Sequence, residues 1–216
     1  MRQILAKFLL SVFFFLLFVG FSYLVQKKVF TSFDFNTTVK LQDHISRNYD
    51  TLLSSLSLLG SVEFVGIFLI IFLVVKRNLG LFFLIPSSFV AFHVLELFGK
   101  IFVRHPSPPF LFLRYNINFL FPSSYVQPGY SYPSGHAGRT VFVSVILLYF
   151  ILSSKKVSSI LKLLLVILLI AFNIAMLISR VYLGEHWTSD VIGGGILGAA
   201  LALFTVSFIK DRSLRS

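Results

Sequence analysis

Six apolar runs constrain this chain more than any other feature, because each is close to the ~20 residues that a helix needs to cross a bilayer. They cover residues 4–25, 58–75, 79–99, 137–152, 160–178 and 189–209. The first run is long and lacks a small-residue cleavage site, so we interpret it as a span and not as a signal peptide. Only 12% of the 216 residues are charged, against ~25% in a soluble domain. The sequence predicts a single all-α domain over residues 1–216, an integral membrane bundle of six transmembrane helices.

The net charge of +11 does not indicate nucleic-acid binding, since no run of basic residues is longer than two. Most Lys and Arg residues lie in short loops and at the ends, where they set topology and meet anionic head groups. With the N-terminus inside, ten of the 19 basic residues are cytoplasmic: Arg2, Lys7, Lys76, Arg77, Lys155, Lys156, Lys162, Lys210, Arg212 and Arg215. This favours two cytoplasmic termini. The absence of cysteine excludes disulfides and a thiolate nucleophile.

Three segments between the spans carry the polar residues. Residues 26–57 are mixed in character and are predicted to form interfacial helix. Residues 100–136 and 179–190 fall on the same side of the bilayer in this topology, the outer face. The aromatic residues there, Tyr132, Tyr182 and Trp187 among them, are predicted to lie at the membrane interface. The run Gly193-Gly194-Gly195 with Gly198 predicts close helix packing.

The two outer segments contain the residue types that phosphoryl transfer requires. His186 and Asp190 are four residues apart at a predicted helix start and would share one face. The carboxylate of Asp190 can fix the tautomer of His186 and leave its other nitrogen free to attack. His136 can give a proton to a departing oxygen.

Phosphate needs cations and N–H donors, and both are close in sequence to these histidines. Lys100, Arg104, Arg139 and Arg180 supply positive charge, and the backbone of Ser134 and Gly135 offers donors at a helix start. Helical spacing puts His93, Glu96, Lys100 and Arg104 on one face, where Glu96 would pair with Lys100. For His105, a structural role and a position lining the site are both open.

These residues resemble the integral-membrane type 2 phosphatidic acid phosphatase superfamily, the lipid phosphate phosphatases, which are related to vanadium haloperoxidases. The family motifs are Lys-x6-Arg-Pro, Pro-Ser-Gly-His and Ser-Arg-x5-His-x3-Asp. Pro133 to His136 match the second motif, and Ser179, Arg180, His186 and Asp190 match the third. The first motif departs from the pattern, because Ser107 stands where arginine is expected, before Pro108. Arg104, one turn closer to Lys100, or Arg139 could replace that guanidinium.

The resemblance implies a mechanism and a class of substrate. His186 would form a phosphohistidine, supported by Asp190, and His136 would protonate the leaving group. Phosphate would be held by Lys100, Arg104, Ser134, Gly135 and Arg180, without a metal or other cofactor. The implied substrate is a lipid phosphate in the bilayer, with undecaprenyl diphosphate first and phosphatidate or phosphatidylglycerophosphate as alternatives. A weakly active or inactive protein that binds or transports lipid phosphates is the alternative of another class.

Overall fold

The computed structural model describes residues 2–117, 121 and 129–209. Residues 118–120 and 122–128 of the predicted active-site segment 100–136 lie outside the described residues. The described part is all-α, as predicted. Its helices are α1 (Arg2–Gln26), α2 (Thr31–His44), α3 (Asp50–Leu58), α4 (Val62–Lys76), α5 (Leu79–Val103), α6 (Gly135–Ser153), α7 (Ser159–Tyr182) and α8 (Thr188–Ser207), with short 3-10 helices at Arg47–Tyr49 and Phe110–Phe112.

Five of these helices are long and apolar enough to cross a membrane, namely α1, α5, α6, α7 and α8. The second predicted span, residues 58–75, contains a break. Its apolar run is divided between the end of α3 and α4, and the pair meets the criteria for a span only together, with a bend of 48°. The new helix begins after Ser61, whose Oγ accepts the Phe64 N–H at 3.2 Å. An N-cap of this kind starts a helix inside a sequence that hydropathy alone reads as continuous.

The glycine run packs two central spans against each other, as predicted. A Cβ atom on Gly198 would lie 2.2 Å from the carbonyl oxygen of Gly138 on α6, and one on Gly194 would lie 2.2 Å from the carbonyl oxygen of Ser134. Both approaches are closer than any side chain permits. Small residues therefore let α8 touch the backbone of α6, and α1 packs on another side of α8.

The prediction of interfacial positions for Tyr132 and Tyr182 is wrong, because both side chains are fully buried. The Tyr132 ring stacks on Phe18 with 6.1 Å between centroids, and its hydroxyl lies 2.8 Å from Ser22 Oγ. The Tyr182 hydroxyl donates to the Ser46 carbonyl at 3.2 Å. A buried tyrosine needs a partner for its hydroxyl. Here the partners come from α1 and from the segment after α2, which hydropathy does not reveal.

The polar ends of four spans meet at one end of the bundle. They are the C-terminal ends of α5 and α7 and the N-terminal ends of α6 and α8. The Ser134 N–H donates to the Asp190 carbonyl at 2.9 Å, which ties the starts of α6 and α8 together. The Lys100 ammonium at the end of α5 reaches the Ser131 carbonyl at 3.5 Å. This end contains the predicted site residues.

Candidate active site

His186 and Asp190 are brought together, although not by the shared helical face that their spacing suggested. His186 lies in the turn before α8, which begins only at Thr188. Asp190 is the third residue of α8, and its Oδ2 accepts the Trp187 N–H at 2.9 Å. This contact caps the helix and turns the carboxylate back toward the preceding turn. The same Oδ2 lies 3.5 Å from His186 Nδ1.

The turn that carries His186 is fixed by its backbone. The N–H groups of Glu185 and His186 both donate to the Arg180 carbonyl at 3.2 Å. Gly184 has φ +70, and a Cβ there would lie 2.2 Å from the Phe112 carbonyl oxygen. Burial lowers the pKa of His186 to about 4, although Asp190 acts in the opposite direction. The imidazole is therefore neutral at physiological pH, as a nucleophilic nitrogen must be.

Asp190 also binds a second histidine, whose role the sequence left open. The His105 Nδ1 atom lies 2.8 Å from Asp190 Oδ1. The carbonyl of His105 accepts the Ser131 N–H at 2.9 Å, so the loop before α6 holds this histidine in place. Asp190 is fully buried, and its two oxygens serve two histidines and one backbone N–H. His105 therefore belongs to the site.

Sequence reasoning missed Asp34, a buried carboxylate on α2. Its Oδ1 accepts the Ser189 N–H at 2.7 Å, and its Oδ2 accepts the Ser189 hydroxyl at 2.7 Å. Burial raises the pKa of Asp34, and the nearby charge of Asp190 raises it further. The contact fixes the first turn of α8 next to Asp190. No sequence signal indicated it, since the two partners are 155 residues apart.

The N-terminus of α6 has the features of an anion site. Ser134 is its N-cap residue and makes no side-chain cap. The Ser134 Oγ atom is fully buried and has no hydrogen-bond partner among the described residues. The first N–H groups of a helix, here those of Gly135, His136 and Ala137, have no partner inside the helix. The Ser134 hydroxyl and these N–H groups can therefore donate hydrogen bonds to the oxygens of a phosphate.

Cations surround this helix start. The buried guanidinium of Arg180 contacts Ser57 Oγ and Glu185 Oε2, and burial raises the pKa of Glu185 against the opposing effect of Arg180. As helical spacing predicts, Lys100 Nζ lies 3.7 Å from Glu96 Oε1. Arg180, Arg139, Lys100 and the imidazole of His186 are near enough to act on His136. The second and third motifs therefore converge with Lys100 in one cluster.

The family model of the PAP2 superfamily matches residues 78–214 of this sequence, which includes both complete motifs. The chain belongs to the PAP2 superfamily. The described part outside that match, from α1 to α4, nevertheless contributes Asp34 and Ser57 to the cluster. Membership in the superfamily agrees with the resemblance that the motifs indicated.

Individual relatives show which proteins this superfamily member is similar to. An undecaprenyl-diphosphatase of Sulfolobus acidocaldarius is 37% identical over 92 residues, 41% of this chain and 40% of the relative. A phosphatidylglycerophosphatase B of Bacillus subtilis is 37% identical over 84 residues, 38% of this chain and 40% of the relative. The matched segments thus span less than half of each curated relative.

A solved structure extends the likeness to nearly the whole fold. The crystal structure of a transmembrane PAP2 type phosphatidylglycerolphosphate phosphatase from Bacillus subtilis matches with a TM-score of 0.75. The match covers 92% of this chain and 94% of that chain, at 21% sequence identity. The arrangement of spans is therefore shared with that PAP2 structure.

One of the predicted phosphate-binding residues lies apart from the cluster. Arg104 is exposed, and its Nε donates to the Ile101 carbonyl at 3.2 Å. Helix α5 ends at Val103 and Arg104 has φ 52, so Arg104 does not continue the helical face of Lys100. The following His105-Pro106 explains the end, because a residue before proline avoids the helical region. Arg139, in contrast, places its guanidinium inside the cluster, with Nη2 3.4 Å from His136 Nδ1.

Proposed function

We propose that this PAP2 member is a membrane phosphatase that hydrolyses a lipid diphosphate or a lipid phosphate monoester through a phosphohistidine. The observation that carries the proposal is the position of the neutral, buried His186 beside Asp190, in the same cluster as the uncapped start of α6. A protein that only binds or transports lipid phosphates has no need of a nucleophile and a proton donor. The combination of a nucleophile, a proton donor and an anion-binding helix start therefore supports an enzyme.

In the first step, His186 attacks the phosphorus atom. Its Nδ1 faces Asp190 and carries the proton, so the lone pair of Nε2 forms the new P–N bond. The bond from phosphorus to the leaving oxygen breaks, and His136, protonated on both ring nitrogens, gives that oxygen a proton. The N–H groups at Gly135 and the charges of Lys100 and Arg180 stabilise the negative oxygens of the transition state.

In the second step, water releases the phosphate. His136, now without its proton, accepts one from the water molecule, whose oxygen attacks phosphorus. The P–N bond breaks, its electron pair returns to His186, and inorganic phosphate leaves. The residues are then in their starting protonation states.

Two substrates fit this chemistry. Undecaprenyl diphosphate is our first choice, and the name of the Sulfolobus relative supports it. Phosphatidylglycerophosphate, or phosphatidate as another phosphate monoester, is the second choice, supported by the name of the Bacillus relative. In both cases the phosphate lies at the membrane–water boundary and the tail lies in lipid, where the polar end of the bundle meets the apolar spans.

Phosphate release by the purified protein in detergent tests the proposal. We expect the wild-type chain to release phosphate from at least one of these lipids. His186→Ala should reduce the rate to below a few per cent, and Asp190→Asn should lower it strongly. A lipid that binds without release of phosphate would support the binding or transport alternative. His186→Ala with most of the wild-type rate would exclude the phosphohistidine.

The proposed reaction uses no metal ion. Within the described residues, no group of three or more His, Cys, Asp or Glu side chains is placed to hold one, and the cations of the cluster can neutralise phosphate themselves. We therefore expect the rate to persist in excess EDTA. Loss of activity that magnesium or zinc restores would contradict this part of the proposal.

A further inference from the structure

Arg139 is a buried arginine in a membrane-spanning helix, one turn beyond His136, and only 5% of it is exposed. Its Nε donates to the Gly60 carbonyl at 2.8 Å, and its Nη1 lies 3.4 Å from Glu96 Oε2. The Gly60 carbonyl accepts this bond at the break between α3 and α4, where continuous helical hydrogen bonding stops. The bend in the second span therefore helps to hold this guanidinium.

Arg139 has N–H donors that its contacts within the described residues do not use. Glu96 is the carboxylate in contact with Arg139, and it also lies 3.7 Å from the Lys100 ammonium. Glu96 thus faces two cations at close range, and Glu63 is a second carboxylate that acts on Arg139. A guanidinium has five N–H groups. The Nε group of Arg139 binds Gly60, one on Nη1 binds Glu96 and one on Nη2 faces His136, so two remain for a ligand. Buried charge of this kind is stabilised when an anionic ligand approaches.

Arg139 lies on the leaving-group side of the proposed reaction. The Nη2 atom of Arg139 lies 3.4 Å from His136 Nδ1, so the guanidinium is beside the proposed proton donor. Arg139 contacts His136, which serves the leaving oxygen in the proposed reaction. The contact of the nucleophile His186 is instead with Asp190, whose Oδ2 lies 3.5 Å from its Nδ1. In an in-line transfer, nucleophile and leaving group are on opposite sides of phosphorus.

We propose that Arg139 binds the phosphate group that departs with the lipid, and so makes this site selective for a lipid diphosphate over a monoester. This inference rests on the proposed function. When His186 attacks the terminal phosphorus of a diphosphate, the bridging P–O bond breaks and its oxygen leaves on a second, negatively charged phosphate. Arg139 can bind that phosphate. A monoester has only an alcohol oxygen at the same place, and its conversion gains nothing from this guanidinium.

Farnesyl diphosphate and farnesyl monophosphate give a matched pair of substrates, because they share one tail and differ by one phosphate. We expect the wild-type chain to have the higher kcat/KM for the diphosphate. Arg139→Gln should lower kcat/KM for the diphosphate about ten- to a hundredfold, the usual effect of a hydrogen bond to a charged group. The kcat/KM for the monophosphate should fall less, so that the ratio of the two kcat/KM values falls about tenfold or more. Arg139→Lys keeps the charge but loses the fork geometry, so its kcat/KM for the diphosphate should lie between those of the wild type and Arg139→Gln.

Arg77→Gln provides the control, since Arg77 is an exposed arginine at the end of α4. Its ratio of the two kcat/KM values should equal that of the wild type. Equal losses for both substrates in Arg139→Gln and Arg139→Lys would overturn the selectivity and would assign Arg139 a general structural or phosphate-holding role. An unchanged ratio and unchanged rates would overturn it as well. If the wild-type chain hydrolyses neither substrate nor any other lipid phosphate, the proposed function fails, and this inference fails with it.

Discussion

The Nδ1 atom of His105 lies 2.8 Å from Oδ1 of Asp190, so the carboxylate that supports His186 is itself held by a second histidine. His105 comes from the loop after α5, whereas Asp190 and His186 come from the third motif. The relationship joins the loop of the incomplete first motif to the proposed nucleophile. His105 does not touch the phosphate in the proposed reaction, but through Asp190 it can help to orient His186.

We expect His105→Phe to lower kcat about tenfold with little change in KM. A hydrogen bond to a charged group contributes about 1.5–3 kcal/mol, and a looser Asp190 would orient His186 less well. His105→Gln should recover part of the rate, because its amide can donate to Oδ1. Steady-state kinetics of the two variants measure this. A wild-type kcat in His105→Phe would show that the contact has no part in orienting the nucleophile.

The pH dependence of kcat/KM should reflect the low pKa of His186. Burial lowers that pKa to about 4, and only the neutral imidazole attacks. The rate constant should therefore stay level as pH falls through 6.5 and decline only near pH 4. Asp190 raises the pKa of His186, so in Asp190→Asn the decline should move to still lower pH. A decline that arises from ionisation of the substrate would not move in this variant, and one centred at pH 6–7 would contradict the burial of His186.

Asp34 should be needed for stability because two donors of Ser189 depend on it. In Asp34→Ala the buried N–H and hydroxyl lose their acceptor, at a cost of about 1–3 kcal/mol for each group. Asp34→Asn should be milder, since its carbonyl still accepts the N–H, and the raised pKa of Asp34 shows that burial disfavours its charged form. Thermal unfolding in detergent, together with kcat, measures both variants. Equal stability of Asp34→Ala and the wild type would mean that α8 begins correctly without α2.

The sequence predicts the spans and the residues of the two complete motifs because hydropathy and short-range spacing are local properties. The Pro-Ser-Gly-His segment and the pair of Ser179 and Arg180 lie where helices start and end, and the structure brings them together. The close packing at Gly194 and Gly198 is also predictable, since small residues in a span allow neighbouring helices to approach. These features need no knowledge of distant partners.

The remaining features depend on contacts between distant parts of the chain. Asp34 meets Ser189 across 155 residues, and no local pattern marks it as buried. The helix break at Gly60 lies inside an apolar run, so hydropathy does not reveal it. The role of the Gly60 carbonyl depends on Arg139, which is 79 residues away in sequence. Arg104 shows the reverse error. Its spacing from Lys100 fits a helical face, but the helix ends one residue earlier.

Two cysteine variants test the orientation that we propose from the loop charges. The chain has no native cysteine, so each variant carries one thiol. Ser107→Cys, in the exposed loop after α5, should react with an impermeant thiol reagent in intact cells. Lys156→Cys, in the exposed loop between α6 and α7, should react only after the cells are opened. The reverse pattern would place the site on the cytoplasmic face.

Gly194 and Gly195 are adjacent on α8 and should respond to alanine in opposite ways. A Cβ on Gly194 would lie 2.2 Å from the carbonyl oxygen of Ser134, a backbone atom that cannot move without displacing the start of α6. A Cβ on Gly195 would lie 3.8 Å from Val141 Cγ2, an ordinary contact. Gly194→Ala should therefore lower both stability and kcat, because the helix start that we assign to phosphate is pushed away from Asp190.

Gly195→Ala should keep the wild-type kcat and gain up to about 1 kcal/mol of stability, the difference in helix propensity between the two residues. Thermal unfolding and phosphate release measure the pair side by side. Because both substitutions add the same methyl group to the same helix, a loss in Gly194→Ala alone reports the contact with Ser134 and not a general response of α8. Equal behaviour of the two variants would mean that the close approach of α8 to α6 does not set the geometry of the phosphate site.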